Sequence, residues 1–291
     1  LPVMPEFERA PSAVHFRERK KPFKPVDAPP FAELLYQPPY FHIVAEGDVS
    51  ADCWLKHESV PGDLVDTLRR DVDSGVRHAS ITAALKVASP ADWVLIGPGT
   101  WREALDVDAP VTLIGAGMDA TVIETDNGTT LHNTSHTVKV EHLTLRCHWG
   151  AEASGWGRAY VGMVHSAVTL MHCNIEGNVR DLVRVVEPGN LVSIGASCIR
   201  GYAPPVATVN GEPVVVSAVN LCRNTRALFN AVTMTGADVG LRAHGASASL
   251  RDCVVTANDQ GVTASGGAVI RYFGEDTRFE GNRVHDVVAA D

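Results

Sequence analysis

Three histidines close together in the sequence have side chains that can bind a metal or carry a proton. His132 and His136 lie on the same face if this segment is a strand, because successive side chains of a strand alternate between its two faces, and His142 follows shortly after. Imidazole is a common ligand of metal ions, so a metal site is one interpretation of this group. The other, which we prefer, is a set of solvated or hydrogen-bonded histidines.

A glycine-rich stretch with two tryptophans is the second candidate. Residues 150–157 contain Trp156 and are flanked by Trp149 and Arg158. Large aromatic side chains beside an arginine are typical of binding hot spots, and they can also stack on sugar rings. The stretch is therefore predicted to be either a binding platform or a loop that folds back with its tryptophans as filler.

Most of the six cysteines are evenly spaced, but they do not form a recognisable metal-binding or redox motif. They are Cys53, Cys147, Cys173, Cys198, Cys222 and Cys253. None forms a Cys-x-x-Cys pair, which argues against a zinc or redox site. From the second cysteine onward the spacing is close to one thiol per structural repeat. We expect reduced thiols that act as small apolar side chains at one corner of each repeat; disulfides between stacked repeats are the alternative.

The elements that position these residues begin within residues 80–124. Ile81, Ala84, Leu85 and Ala88 have the spacing of one helix face, and short β-branched runs that end in glycine or proline follow after Pro90. This change of period predicts a short helix that caps a stack of short strands.

A repeat of strand-like segments fills the rest of the chain. One apolar position recurs shortly before a glycine or alanine, at Ile175, Ile199, Met234, Val255 and Phe279. Most intervals are 21–24 residues, which suits one turn of a parallel β-helix and is too short for a helical pair. The interval from Ile199 to Met234 is longer, and it is predicted to hold an extra loop and a strand-like run of valines from Val214. Asparagines at the following bend, Asn178, Asn258 and Asn282, are predicted to form a stacked ladder.

The first 77 residues divide into two parts. Residues 1–40 hold nine of the 17 prolines and are predicted to be an extended arm. Residues 41–77 are predicted to be a capping segment, with a strand from Phe41 and a helix that carries Leu64, Leu68 and Val72 on one face. The solenoid itself is assigned to residues 78–291.

The arm combines basic and aromatic side chains. We expect these residues to dock into a partner or onto the chain's own body, whereas the alternative is a disordered tail, a class that is poor in aromatics. The candidate residues are Phe7, Phe16, Arg19, Lys20, Lys21, Phe23, Phe31 and Tyr36.

Composition excludes several classes of function. The formal net charge of -9 disfavours a broad nucleic-acid surface, and no apolar run approaches the length of a membrane span. The chain starts at Leu1 rather than at methionine, which suggests either a processed form or an artificially trimmed one. An intracellular and organellar, for example mitochondrial, location is favoured over a cytosolic or ciliary one.

The residues quoted above resemble the right-handed parallel β-helix, or pectin-lyase-like, superfamily. The resemblance spans roughly residues 76–288, and its first coils, Gly97–Glu103 and Leu113–Ile123, are similar to those of pectin methylesterases. Non-enzymatic β-helix repeat proteins, including F-box-associated and SHC-binding ones, share the same opening. The resemblance implies an all-β, right-handed parallel β-helix, here with a short N-terminal capping helix and the proline-rich arm.

The catalytic residues of pectin methylesterases are not matched as a set. Asp181 follows Ile-Glu-Gly as the nucleophile of that family does, but about two positions late, and the Gly-Arg-Pro-Trp motif does not occur. A calcium-binding carboxylate group of the pectate-lyase kind is also not evident, since Asp106, Asp108 and Asp119 are better explained as turn residues. The resemblance is therefore to the fold rather than to the activity.

The sequence thus predicts a non-catalytic scaffold or interaction subunit of a larger protein assembly, without cofactor or metal, that docks through the arm and a side face of the solenoid. The alternatives are a divergent carbohydrate esterase or lyase that uses Asp181, and a glycan-binding protein that uses Trp149 and Trp156.

Overall fold

The computed structural model describes most of the chain from residue 40 onward. The described residues are 40–57, 60–74, 77–126, 128–133, 136–150, 160–186, 188–202, 208–209 and 212–289. Residues 1–39 of the predicted arm, which include its eight candidate binding residues from Phe7 to Tyr36, lie outside them.

Two large sheets and one small hairpin contain the strands. The first sheet has 14 strands in the described residues: β1 (Phe41–Val44), β2 (Arg77–His78), β3 (Trp93–Ile96), β4 (Gly99–Arg102), β6 (Thr112–Gly115), β7 (Thr121–Asp126), β9 (Val138–His148), β11 (Val168–Gly177), β13 (Leu191–Gly201), β17 (Arg226–Thr235), β19 (Ser247–Arg251), β20 (Val254–Thr256), β22 (Val269–Phe273) and β23 (Arg278–Glu280). The second has eight: β5 (Leu105–Val107), β8 (Leu131–Asn133), β10 (Tyr160–Val164), β12 (Asp181–Val185), β16 (Ser217–Leu221), β18 (Val239–His244), β21 (Gln260–Ser265) and β24 (His285–Ala289). The hairpin is β14 (Thr208–Val209) with β15 (Glu212–Pro213).

Parallel pairing between successive coils builds a parallel β-helix, as predicted. In the first sheet each strand pairs with its counterpart one coil further on, so like positions lie over one another about 4.8 Å apart. The repeated apolar position becomes one interior column, which confirms the predicted alignment. Its members are Trp101, Ile123, Leu145, Ile175, Ile199, Met234, Val255 and Phe279.

The long interval between Ile199 and Met234 is a single coil with an insertion, because these two residues pair directly. The insertion carries the hairpin β14–β15, as the predicted extra loop required. The valine run is not a strand, which corrects the prediction. Val214 and Val216 are buried and lead into β16.

The N-terminal end of the solenoid is closed by helix α3 (Ile81–Leu85). The Ser80 side chain accepts a hydrogen bond from the Ala83 amide at 3.1 Å, which satisfies a free donor of the first turn. Ile81 and Ala84 are buried in the interior cluster of the solenoid. The predicted capping helix is confirmed.

The segment before α3 covers a side face, whereas the sequence suggested that it would cover the open end. It contains α1 (Asp52–Leu55), a 3₁₀ turn (Gly62–Leu64) and α2 (Val65–Ser74). Trp54 and Leu68 pack in a second cluster with Leu95 and Ile114. The latter two residues point away from the interior because they alternate with inward residues of β3 and β6.

All six cysteines have free thiols, and no disulfide links the coils. They do not share one corner, contrary to the prediction. Cys173 pairs in register with Leu143, while Cys198 pairs with Asn174. Because insertions make the coils unequal in length, even spacing along the chain does not place residues in one column.

The asparagine ladder is present in the last two of its three predicted positions. Asn258 Nδ2 donates to Asn282 Oδ1 at 3.2 Å and to the Met234 carbonyl at 3.1 Å. Asn178 instead bonds the backbone of Trp149 in the preceding coil, through its oxygen and its nitrogen. None of the helices in the described ranges has the length and apolarity needed to cross a bilayer.

Candidate functional site

A buried carboxylate stands at the start of β12. Asp181 is 0% exposed. Its Oδ1 accepts a hydrogen bond from Asn220 Nδ2 at 3.1 Å, and its Oδ2 accepts one from the Arg184 guanidinium at 3.3 Å. That guanidinium also donates to the Tyr160 hydroxyl at 3.1 Å and lies 5.4 Å from the centre of the Tyr160 ring. Neighbouring strands of the second sheet hold all four side chains together.

The setting of Asp181 is that of a structural ion pair. Burial raises the pKa of Asp181, and the Asn220 hydrogen bond and the charge of Arg184 oppose that rise. A nucleophilic carboxylate must reach the substrate, but both oxygens of Asp181 are engaged and enclosed. The arrangement therefore fixes neighbouring strands and offers no attacking group to a ligand.

Three stacked imidazoles join the N-terminal segment to the solenoid. The ring centres of His57 and His142 are 3.7 Å apart with an interplanar angle of 11°. Those of His142 and His172 are 4.7 Å apart at 5°. His142 and His172 occupy the same corner of adjacent coils, where the backbone has positive φ values of 55° and 52°. The stack therefore continues one column of the solenoid into the segment that follows α1.

This histidine stack favours the neutral imidazole form. Burial, followed by the charges of His57 and His172, lowers the pKa of His142 from 6.5 to about 4. Burial also lowers the pKa of His57. The positive charge of Lys56 also lowers the pKa of His57, and that of Lys139 lowers the pKa of His142. The negative charge of Glu141 acts to raise both pKa values.

The stack makes stability depend on pH. The folded protein holds His142 with a pKa below the unfolded value of 6.5, so the unfolded state binds more protons between pH 6.5 and about 4. Stability should fall as the pH drops through this window. His142→Asn removes the titration and keeps a side chain that tolerates positive φ. We expect the melting temperature of this variant to fall several degrees less than that of the wild type over the same window.

The control for this variant is His136→Asn, since His136 is exposed and outside the stack. Thermal melts followed by circular dichroism at pH 7, 5.5 and about 4.5 would measure the effect. Equal pH slopes for His142→Asn, His136→Asn and the wild type would contradict the assigned role of the stack.

The histidines singled out in the sequence are not brought together. His132 Nδ1 lies 3.3 Å from a carboxylate oxygen of Asp106, and its ring meets that of His165 edge-on at 5.0 Å. His136 is exposed, and His142 belongs to the histidine stack. Within the part of the chain that the structure describes, no three His, Cys, Asp or Glu side chains are grouped to hold a metal.

A ladder of alternating charges follows the outer face of the first sheet. Arg146 bridges Glu124 at 3.4 Å and Glu176 at 2.5 Å. Although burial acts to raise it, hydrogen bonds from Tyr202 and Arg146 hold the pKa of Glu176 below its usual value. The pairs lie in register on successive coils, so they help to fix strand alignment. The ladder consists of Arg102, Glu124, Arg146, Glu176 and Arg200.

The predicted tryptophan platform is only partly within the described residues. Trp149 is 3% exposed and packs in the interior cluster of the solenoid. It therefore has no open ring face for a sugar, which corrects the expectation for this residue. Trp156 and Arg158 lie outside the described residues, and their role stays a prediction.

A groove opens on the outer face of the first sheet, over β17, β19 and β22. It encloses about 380 Å³ and is lined by Leu191, Arg226, Ala227, Leu228, Ser247, Ser249 and Arg271. Large apolar side chains on the same face are unusually open, with Leu228 47% exposed, Val269 44% and Phe273 36%. We call this surface, formed by the groove residues with Val269 and Phe273, the C-terminal face. The sequence repeat did not reveal it, because outward positions carry no recurring residue type.

Comparison with solved structures finds four matching chains. The chain is similar to a solved pectin methylesterase mutant in complex with a hexasaccharide, at 12% sequence identity and a TM-score of 0.37, over 81% of this chain and 67% of that one. No protein-family model matches the chain, and no curated protein does. A likeness this distant says nothing about activity, and the parallel strand register itself establishes the fold.

Proposed function

We propose that this protein is a non-catalytic β-helix scaffold that binds other protein subunits through the C-terminal face. The observation that carries the proposal is that Leu228, Val269 and Phe273 all point outward on one side face of the solenoid and are open to solvent. Exposed apolar patches of this kind are typical of protein interfaces. Solenoids present such extended faces to partners.

The enclosure of Asp181 supports a scaffold over an esterase or lyase. The one acid whose sequence position resembles a family nucleophile is fully buried and bonded to Arg184 and Asn220. The predicted arm and the organellar, mitochondrial setting belong to the same proposal. Fractionation of the native source tests the compartment, and deletion of residues 1–40 tests the arm.

Sedimentation of the native protein tests the scaffold. The tagged chain, expressed in the cells that naturally produce it, should sediment as a particle much larger than the 31.1 kDa of one chain. Leu228→Asp should shift it toward the monomer, because a buried charge at an interface is costly. Val87→Asp is the matched control, as Val87 is 59% exposed and lies just after α3.

Two results would count against the scaffold. One is a wild-type chain that sediments as a monomer. The other is an equal response to Leu228→Asp and Val87→Asp, which would place the interface elsewhere.

A further inference from the structure

Two arginines occupy opposite corners of a small grid on the C-terminal face. Arg226, Ser247 and Val269 are register partners on β17, β19 and β22. Leu228, Ser249 and Arg271 form the next outward column, two residues along the same strands. Two strand spacings and two residues of rise place the Cα atoms of the arginines about 12 Å apart. The groove lies between them.

The two guanidinium groups lack carboxylate partners. Among the described residues, no Asp or Glu lies within ion-pair distance of Arg226 or Arg271, whereas Arg251 on the same face pairs with Asp252 at 3.4 Å. Arg223 and Arg242 also have no ion pair among the described residues, but Arg226 and Arg271 differ from them in lining one groove. The planar guanidinium matches carboxylate geometry with two parallel donors, and the hydroxyls of Ser247 and Ser249 add donors between them.

The apolar side chains around the groove narrow the class of ligand. Leu228 and Val269 lie on the diagonal opposite to the arginines, and Leu191 extends the column of Arg226 by one coil. Nucleic acid would require a wider basic surface. A polysaccharide is usually held by aromatic rings, and no aromatic side chain lines this groove. An extended peptide supplies both charge and apolar contacts, since its alternate side chains share one face.

We propose that the groove binds an extended acidic segment of a partner protein. Carboxylates four residues apart on one face of the segment lie about 13 Å from each other, which suits Arg226 and Arg271. An apolar side chain midway between them packs against Leu228. This inference rests on the proposed scaffold function, because it names the chemistry of what the scaffold binds.

Fluorescence anisotropy with short labelled peptides tests the groove. The probe carries a Glu-Thr-Leu-Thr-Glu core; one control peptide replaces both Glu by Gln, and another replaces them by Lys. We expect saturable binding of the Glu peptide that weakens about tenfold or more with the Gln peptide, and again with Arg226→Gln or Arg271→Gln. Binding should also weaken between about 50 and about 300 mM NaCl.

The matched control is Arg70→Gln, an exposed arginine of α2 that pairs only with its neighbour Asp71. It should leave peptide binding unchanged. Melting curves establish that each variant is folded. The inference is overturned if the Glu peptide shows no saturable binding, if the Gln peptide binds equally well, or if Arg70→Gln acts like the groove variants. The inference would also be overturned if the groove binds polygalacturonate instead of the peptide and the groove variants lose that binding.

Failure of this inference is separable from failure of the scaffold proposal. If Arg226→Gln and Arg271→Gln leave the large assembly intact, the proposed binding of an acidic segment is wrong, but the proposed scaffold function is unaffected. If the wild-type chain sediments as a monomer, the scaffold proposal fails regardless of the peptide result.

Discussion

Replacing Ile175 by alanine is expected to lower the free energy of unfolding by about 3 kcal/mol. Ile175 is fully buried in the middle of the interior column, between Leu145 and Ile199 of the adjacent coils. The substitution removes three carbon atoms from a site whose walls are themselves fixed by strand pairing above and below. The cavity therefore has little freedom to collapse, which favours a large loss.

Urea denaturation followed by circular dichroism measures this loss. Thr169→Ala is the matched control, since Thr169 lies on the same strand but points away from the interior. Its expected effect is within about 0.5 kcal/mol. Comparable losses for Ile175→Ala and Thr169→Ala would mean that the column is not the core of the solenoid.

The interior column was predictable because inward positions repeat a residue type. Burial selects Ile, Met, Val or Phe at the same point of each coil, so the sequence keeps a trace of the register even where a coil contains an insertion. Met234 is the clearest case, since it pairs with Ile199 despite the hairpin between them. The cysteines carried no such information, because a small buried thiol fits several interior positions.

The histidine stack was harder to see in the sequence. Along the chain His142 lies near His132 and His136, so sequence proximity groups it with residues that the structure keeps apart from it. Aligning the coils would have placed His142 over His172, since Leu143 and Cys173, the residues that follow them, are register partners. No alignment of coils could supply His57, because it comes from the segment that packs on the outside of the solenoid.

The C-terminal face depends on tertiary structure in the same way. Arg226 and Arg271 are far apart in sequence and have no motif in common. Only the parallel register brings them to one groove, and only the ion-pair geometry shows that Arg251 is neutralised while they are not. Outward residues contact partners and solvent and are not constrained by packing in the core, so their residue types do not recur from coil to coil.

Replacing Asp181 by alanine is expected to destabilise the fold by about 3 kcal/mol without removing an activity. The substitution leaves Arg184 and Asn220 without their shared acceptor, and breaking a buried ion pair from one side typically costs that much. Asp181→Asn should lose less, about 1–2 kcal/mol, because an amide oxygen still accepts one of these hydrogen bonds.

Urea denaturation with the control Asp106→Ala separates this effect from a general response to losing an acid. Asp106 lies on the same sheet, its side chain is 72% exposed, and it pairs only with His132. That variant should change stability by less than about 0.5 kcal/mol. The same proteins, assayed for release of methanol from methyl-esterified pectin, test the enzymatic alternative. Asp181 would be a nucleophile if the wild type releases methanol, Asp181→Asn abolishes this turnover, and the stability of Asp181→Asn stays near that of Asp106→Ala. A structural carboxylate would instead show its loss as a lower free energy of unfolding.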